Sequence, residues 1–175
     1  MAAPTIVGAV TMVQISTETI EKLRSLTLAV AVAPTANQVW QIADEAFSQM
    51  LGQLMFTVLE HVPASGEVAR LYSNRPDAYP VGGRKPMGET PWGDLVLTRG
   101  QPWLGQDADA IRWAYFDHET LIGMGFETAI NLPMVSAGKT LITLNLTAGP
   151  GHYTQSHLEL GQVIAGLLSP ALLLE

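Results

Sequence analysis

The stretch from Tyr72 to His118 gathers most of the rings and cations of the chain: Tyr72, Arg75, Tyr79, Arg84, Trp92, Trp103, Trp113, Tyr115, Phe116 and His118. Rigid rings with a few convergent polar groups suit a planar or carboxylated small molecule. Arg75 and Arg84 are the candidate clamps, since a guanidinium fork pairs with both oxygens of a carboxylate or phosphate at once. Tyr72, Tyr79, Trp92, Trp103 and Trp113 are candidate ligand-binding walls. For Trp103 and Trp113 the plainer alternative is that they anchor a loop-rich face as core residues. Three residues have types suited to proton transfer. His118, between Asp117 and Glu119, is a candidate general base by residue type, although a surface histidine beside a helix-capping Asp117 would look the same. Tyr115 can donate a proton to an oxyanion, and Glu60, at a strand end, is a candidate base or ligand donor.

Other chemistries lack their residues. With no cysteine in the chain, disulfides, thiolate metal sites and cysteine nucleophiles are excluded. His152 and His157 are five apart, not at the i,i+4 spacing of a helical ligand pair, and His61 and Glu60 are strand neighbours that point to opposite faces. No metal and no cofactor are therefore expected. Gly82-Gly-Arg-Lys-Pro86 sets two glycines beside two cations but lacks the spacing of a phosphate loop, and no nucleophile-elbow motif is present. The formal charge of -7 argues against nucleic acid or an anionic membrane as partner. Even so, Arg70, Arg75, Arg84, Lys85, Arg99 and Arg112 all fall in the central part of the chain, where they can form a local anion site. Their alternative is a solvated surface, interleaved with acids. The N-terminus lacks a basic leader and the apolar run 27–33 is too short to span a bilayer, so a cytoplasmic location is expected.

The elements that must position these residues follow from periodicity. A helix over 17–31 buries Ile20, Leu23, Leu26 or Thr27, and Val30; Pro34 stops it. Thr35 and Gln38 have capping-box spacing and open a second helix to about Met50, with Val39, Ile42, Ala43, Ala46, Phe47 and Met50 inward. Residues 54–60 read as a central strand and 67–72 as its hairpin partner. The Pro- and Gly-rich segment 73–91 argues for an ordered, irregular excursion and against helix or strand, the usual form of a lid or binding segment. Thr90-Pro-Trp92 can start a short helix, 102–105 a short strand, and 117–124 a helical turn or two. Strands over 127–134 and 140–147 meet around Gly138. Asn131 and Asn145, inside them, would be costly if buried alone, so they bind a ligand or satisfy neighbouring backbone. Ser156 and Glu159 suggest the cap of a last helix with Leu160, Val163, Ile164, Leu167 and Leu168 inward, and the tail 171–174 packs on the first helix or on a second subunit.

The element order, the N-terminal helix pair, the turn Val135-Ser-Ala-Gly-Lys-Thr140, Thr143-Leu-Asn-Leu146, and Tyr153-Thr with the closing helix together resemble the GAF domain family over residues 17–172. The resemblance implies an α+β fold: a central antiparallel sheet with terminal helices on one side and a loop-rich ligand face on the other. It implies a single stand-alone domain over 1–175, with 1–16 as an N-terminal extension, and a homodimer through the terminal helices. It also implies that the sheet and its middle segments enclose a small-molecule ligand. The cysteines that attach bilin or reduce methionine sulfoxide in some members, and the cyclic-nucleotide signature of others, have no counterpart here. Two function classes remain. One is a sensory or regulatory domain for a planar or carboxylated metabolite. The other is a cofactor-free enzyme (hydrolase, isomerase or proton-transfer catalyst) acting on an aromatic or carboxylated metabolite. A purely structural interaction protein, suggested by the leucine-rich tail, is a third possibility and predicts no pocket.

Overall fold

A computed structural model describes residues 16–87 and 90–174. The expected N-terminal extension lies outside the described residues apart from Ser16, whose side chain caps α1 (Thr17–Val32) by accepting from the Thr19 N–H. Thr35 caps α2 (Ala36–Leu51) in the same way, its hydroxyl accepting from the Gln38 N–H at 3.3 Å, as the spacing of the two residues predicts. Gly52 ends α2 at φ +67°, a left-handed conformation that a side chain would strain.

Six strands follow: β1 (Met55–Val62), β2 (Glu67–Ser73), β3 (Arg84–Pro86), β4 (Trp103–Gly105), β5 (Thr128–Ser136) and β6 (Lys139–Ala148). They form one antiparallel sheet in the order β3-β2-β1-β6-β5-β4, so the expected architecture is present. The strand β3 corrects the irregular reading of 73–91: Arg84–Pro86 pairs with Glu67–Ala69, and Pro86 is tolerated because an edge strand has donors it need not use. Between β3 and β5 lie α3 (Pro91–Gly93), a π-helical turn (Asp94–Thr98), α4 (Ala108–Ala114) and α5 (His118–Gly123), with α3 and α4 capped by Thr90 and Asp107.

Strand periodicity sorts the sheet into two unlike faces. Phe56, Val58, Ile130, Leu132, Ile142, Leu144 and Leu146 join Val39, Trp40, Ala43 and Phe47 in one apolar core beneath α1, α2 and α6 (Gln155–Leu167). The alternate positions Met55, Thr57, Leu59, Ala129, Asn131, Thr143, Asn145 and Thr147 are buried under the cover made by β3, α3, α4 and α5, and five of them are polar.

Three helical expectations change. The inward line of α6 is Leu158, Gly161, Ile164, Ala165 and Leu168, while Val163 is 51% exposed. Small residues bring this helix close to the sheet: a Cβ at Gly161 would stand 3.0 Å from Leu132 Cδ1. On α1, Leu26 and Val30 are buried but Ile20 is 54% exposed. The tail forms a 3-10 turn (Ser169–Leu173) whose Ala171 is buried and whose Leu172 and Leu174 pack on the chain's own core, so little of it remains for a second subunit. Among the described residues no helix is long and apolar enough to cross a membrane.

Candidate functional site

A cavity of about 40 Å³ lies between the polar sheet face and its cover. Met55, Thr57 and Leu59 of β1 and Asn145 and Thr147 of β6 form its floor; Arg70, Tyr79, Lys85, Trp92, Tyr115, Asp117 and Leu121 form its walls and roof. Larger grooves run between α6 and the end of β5 and between α1 and α2. Among the described residues, the small cavity is the one of these three lined by residues with buried, unpartnered polar atoms: Arg70 Nε, Asp117 Oδ1 and Thr147 Oγ1.

A bulge in β2 decides which of its side chains reach this cavity. Val58 pairs with Tyr72 but Leu59 pairs with Arg70, so Leu71 is an extra residue with no partner across β1. Arg70 and Tyr72, two apart, would share a face of a regular strand. Instead Arg70 lines the cavity, while Tyr72 lies on the helical side, 5.6 Å from the Phe56 ring, and donates to Asp44 Oδ2 at 2.9 Å. Asp44 also accepts from Gln53 and Asn74, which binds α2 to both ends of the β1–β2 hairpin.

Electrostatically the cavity holds two cations and one carboxylate. The Arg70 guanidinium lies 5.1 Å from the centroid of the Tyr79 ring and donates through Nη1 to Pro80 O at 3.1 Å. Tyr79 in turn donates to Asp117 Oδ2 at 2.9 Å. Lys85 Nζ sits 4.7 Å over the Phe116 ring. Burial pushes the Lys85 ammonium below its ordinary value, Asp117 works against that shift and Arg70 adds to it. Burial likewise lowers Arg70, against the pull of Tyr79 and Asp117, and raises the Tyr79 phenol.

Beneath the cover lies a network of amides. Asn131, fully buried, accepts at Oδ1 from Trp92 Nε1 and from the Tyr115 hydroxyl, both at 2.8 Å, and donates to Asn145 Oδ1 at 2.7 Å. Asn145 donates onward to Thr57 O, Thr143 O and Thr143 Oγ1. The two amides thus satisfy each other, two rings and nearby backbone, and Asn131 does not line the cavity.

The remaining candidates are dispersed. Tyr79, Trp92 and Tyr115 line the cavity. Tyr115 is committed to Asn131, and burial raises its phenol so that it holds its proton tightly. Trp103 stacks on Trp113 at 5.8 Å and meets Tyr115 edge-on at 5.9 Å, while Trp113 is 47% exposed. A Cβ at Gly105 would collide with the Trp103 ring, so that glycine makes room for the indole. His118 donates from Nδ1 to Tyr115 O at 3.0 Å, bracing the turn between α4 and α5. Arg75 is exposed and donates to Leu54 O; Arg84 is exposed against Glu67; Glu60 is exposed on the helical side of β1. Sequence reasoning misses Arg70, Lys85, Asp117, Thr57 and Thr147 as site residues, although the basic run contains the first two. Among the described residues no three acidic or histidine side chains cluster as metal ligands.

Residues 34–173 match the family described as GAF domain. The fold resembles that of the GAF domain from a phosphoenolpyruvate-protein phosphotransferase of Coxiella burnetii, with TM-score 0.75 and 20% identity over 89% of this chain and 92% of that one. It also resembles the GAF domain of an Acinetobacter phosphoenolpyruvate-protein phosphotransferase, with TM-score 0.69 and 13% identity over 92% of this chain and 98% of that one. The chromophore-binding domain of bacteriophytochrome RpBphP3 from R. palustris has TM-score 0.68 and 12% identity over 91% of this chain and 62% of its own. None of the curated proteins compared matches the sequence.

Proposed function

Because this chain belongs to the GAF domain family, we propose that it is a small-molecule-binding sensory or regulatory domain whose ligand, a small carboxylated metabolite, occupies the cavity between sheet and cover. One observation carries the proposal: three buried polar atoms, Arg70 Nε, Asp117 Oδ1 and Thr147 Oγ1, belong to residues that converge on one cavity and have no partner. Such groups cost about 1–3 kcal/mol each when left unmade, a cost that a ligand with complementary atoms removes. The volume of about 40 Å³ favours a compact carboxylate over a planar ring system, since ring-sized ligands occupy pockets of roughly 300 Å³ or more. The enzymatic alternative draws no support from its candidates: Tyr115 and His118 are engaged in bracing the cover, and Glu60 is exposed and does not line the cavity.

The same reading includes a homodimer through the terminal helices. Ile20, Leu28 and Val32 are 54%, 57% and 80% exposed along α1, with the exposed Arg24 in the same row, and a second copy would cover these apolar side chains.

Native mass spectrometry of the freshly purified chain tests the ligand. A low-mass non-covalent adduct is expected, absent from a Thr57→Trp variant that fills the cavity. A compact carboxylate at a hundred times its Kd should stabilise the fold by about 2.7 kcal/mol, or about 5–10 °C in Tm. A chain that carries nothing, and that no small carboxylate stabilises, would refute the proposal.

A further inference from the structure

The charges in the cavity do not close on one another. Lys22–Glu18, Arg84–Glu67, Arg99–Asp94 and Arg112–Asp109 are the ion pairs among the described residues, and none of them involves Arg70, Lys85 or Asp117. Two cations and a carboxylate therefore face a shared space with a formal excess of one positive charge. A bound monoanion brings that sum to zero, whereas a zwitterion leaves the excess buried and a dianion reverses it. The charge balance selects one carboxylate.

A bare carboxylate is still incomplete as a ligand. Asp117 Oδ1 needs a donor, because Tyr79 occupies only Oδ2. Thr147 Oγ1 can donate or accept. A hydroxyl placed next to the ligand carboxylate answers both, donating to Asp117 and accepting from Thr147. It also keeps a hydrogen between two carboxylates that would otherwise repel. Met55, Leu59 and Leu121 add apolar lining to the same cavity of about 40 Å³, which suits a short hydrocarbon and excludes a long one.

We infer, resting on the functional reading above, that the cavity recognises a small monoanionic 2-hydroxy acid of the glycolate to lactate class. Its carboxylate meets Arg70 and Lys85, and its hydroxyl bridges Asp117 and Thr147.

Calorimetric titration with glycolate, L-lactate, propionate and L-alanine tests this class. Glycolate or L-lactate should bind about tenfold more tightly than propionate, which lacks the hydroxyl, and than L-alanine, which carries an ammonium in its place. In Asp117→Asn the preference for L-lactate over propionate should shrink severalfold. Thr147→Val provides the same comparison should Asp117→Asn fail to fold. Equal binding of propionate and L-lactate, tighter binding of L-alanine, or an undiminished preference in a folded variant would each overturn the inference. If none of the four binds while the native adduct persists, the hydroxy-acid class is wrong and the ligand-binding reading stands. If none binds and no adduct exists, both fall.

Discussion

Asn131 holds Trp92, Tyr115 and Asn145 through one amide beneath the cover. Asn131→Leu strands an indole N–H, a phenol and a second amide in a buried layer, so it should lower stability by about 3 kcal/mol in urea unfolding. A loss within about 0.5 kcal/mol would mean the network contributes little. At this scale the cost of burying Asn131 and Asn145 was visible in the sequence, but their solution, pairing across β5 and β6 under two aromatic rings, needed the register Asn131 to Asn145. The basic run hinted at Arg70 and Lys85, yet sequence favoured Arg75 and Arg84, because nothing in a linear string says which arginine is turned inward. In the sequence Asp117 stands out only as a neighbour of His118, although the carboxylate and not the imidazole lines the cavity.

The start of α2 at Thr35 was legible, because the cap is a local contact between residues three apart, although Gln38 supplies only its backbone N–H and the reciprocal side-chain half of the box is not formed. The start of α6 was not. Its cap is Thr154 and its third residue is His157, whose Nδ1 accepts from the Thr154 N–H at 3.2 Å, a role sequence rules assign to Glu or Gln. Burial and the nearby His152 lower the His157 pKa below the ordinary histidine value. Between the folded and unfolded values the unfolded chain binds more protons, so this contribution is complete above the ordinary value and is lost as pH falls through the lowered one. Urea midpoints followed between about pH 5 and 8 should drop on the acid side, and His157→Glu should flatten that part of the profile; an identical drop in the variant would assign it elsewhere. The β2 bulge was equally hidden, since alternation assigns Tyr72 to the face of Arg70 until Leu71 falls out of register.

For the whole molecule, the two-layer arrangement was recoverable because the helical face of the sheet is built from periodic aliphatic residues. The cover was not, because α3, α4 and α5 are too short for periodicity to specify their packing. The proposed homodimer belongs to this scale. Light scattering of the wild-type chain should give twice the mass of a Leu28→Glu, Val32→Glu variant with unchanged far-ultraviolet circular dichroism, and equal masses would remove α1 as the contact. One side of the sheet is closed by a single large hydrocarbon core and the other by two smaller apolar clusters and directional bonds around a void, so the protein should open first from the cover side. Backbone amides of α3 to α5 should exchange with deuterium through a partial opening that leaves β1, β6 and α2 protected, and an occupied cavity should slow only that faster class. Uniform protection would mean the cover and the helical half unfold together. On the proposed function, the segment that must part to admit a metabolite would also be the one whose opening rate registers that the cavity is filled.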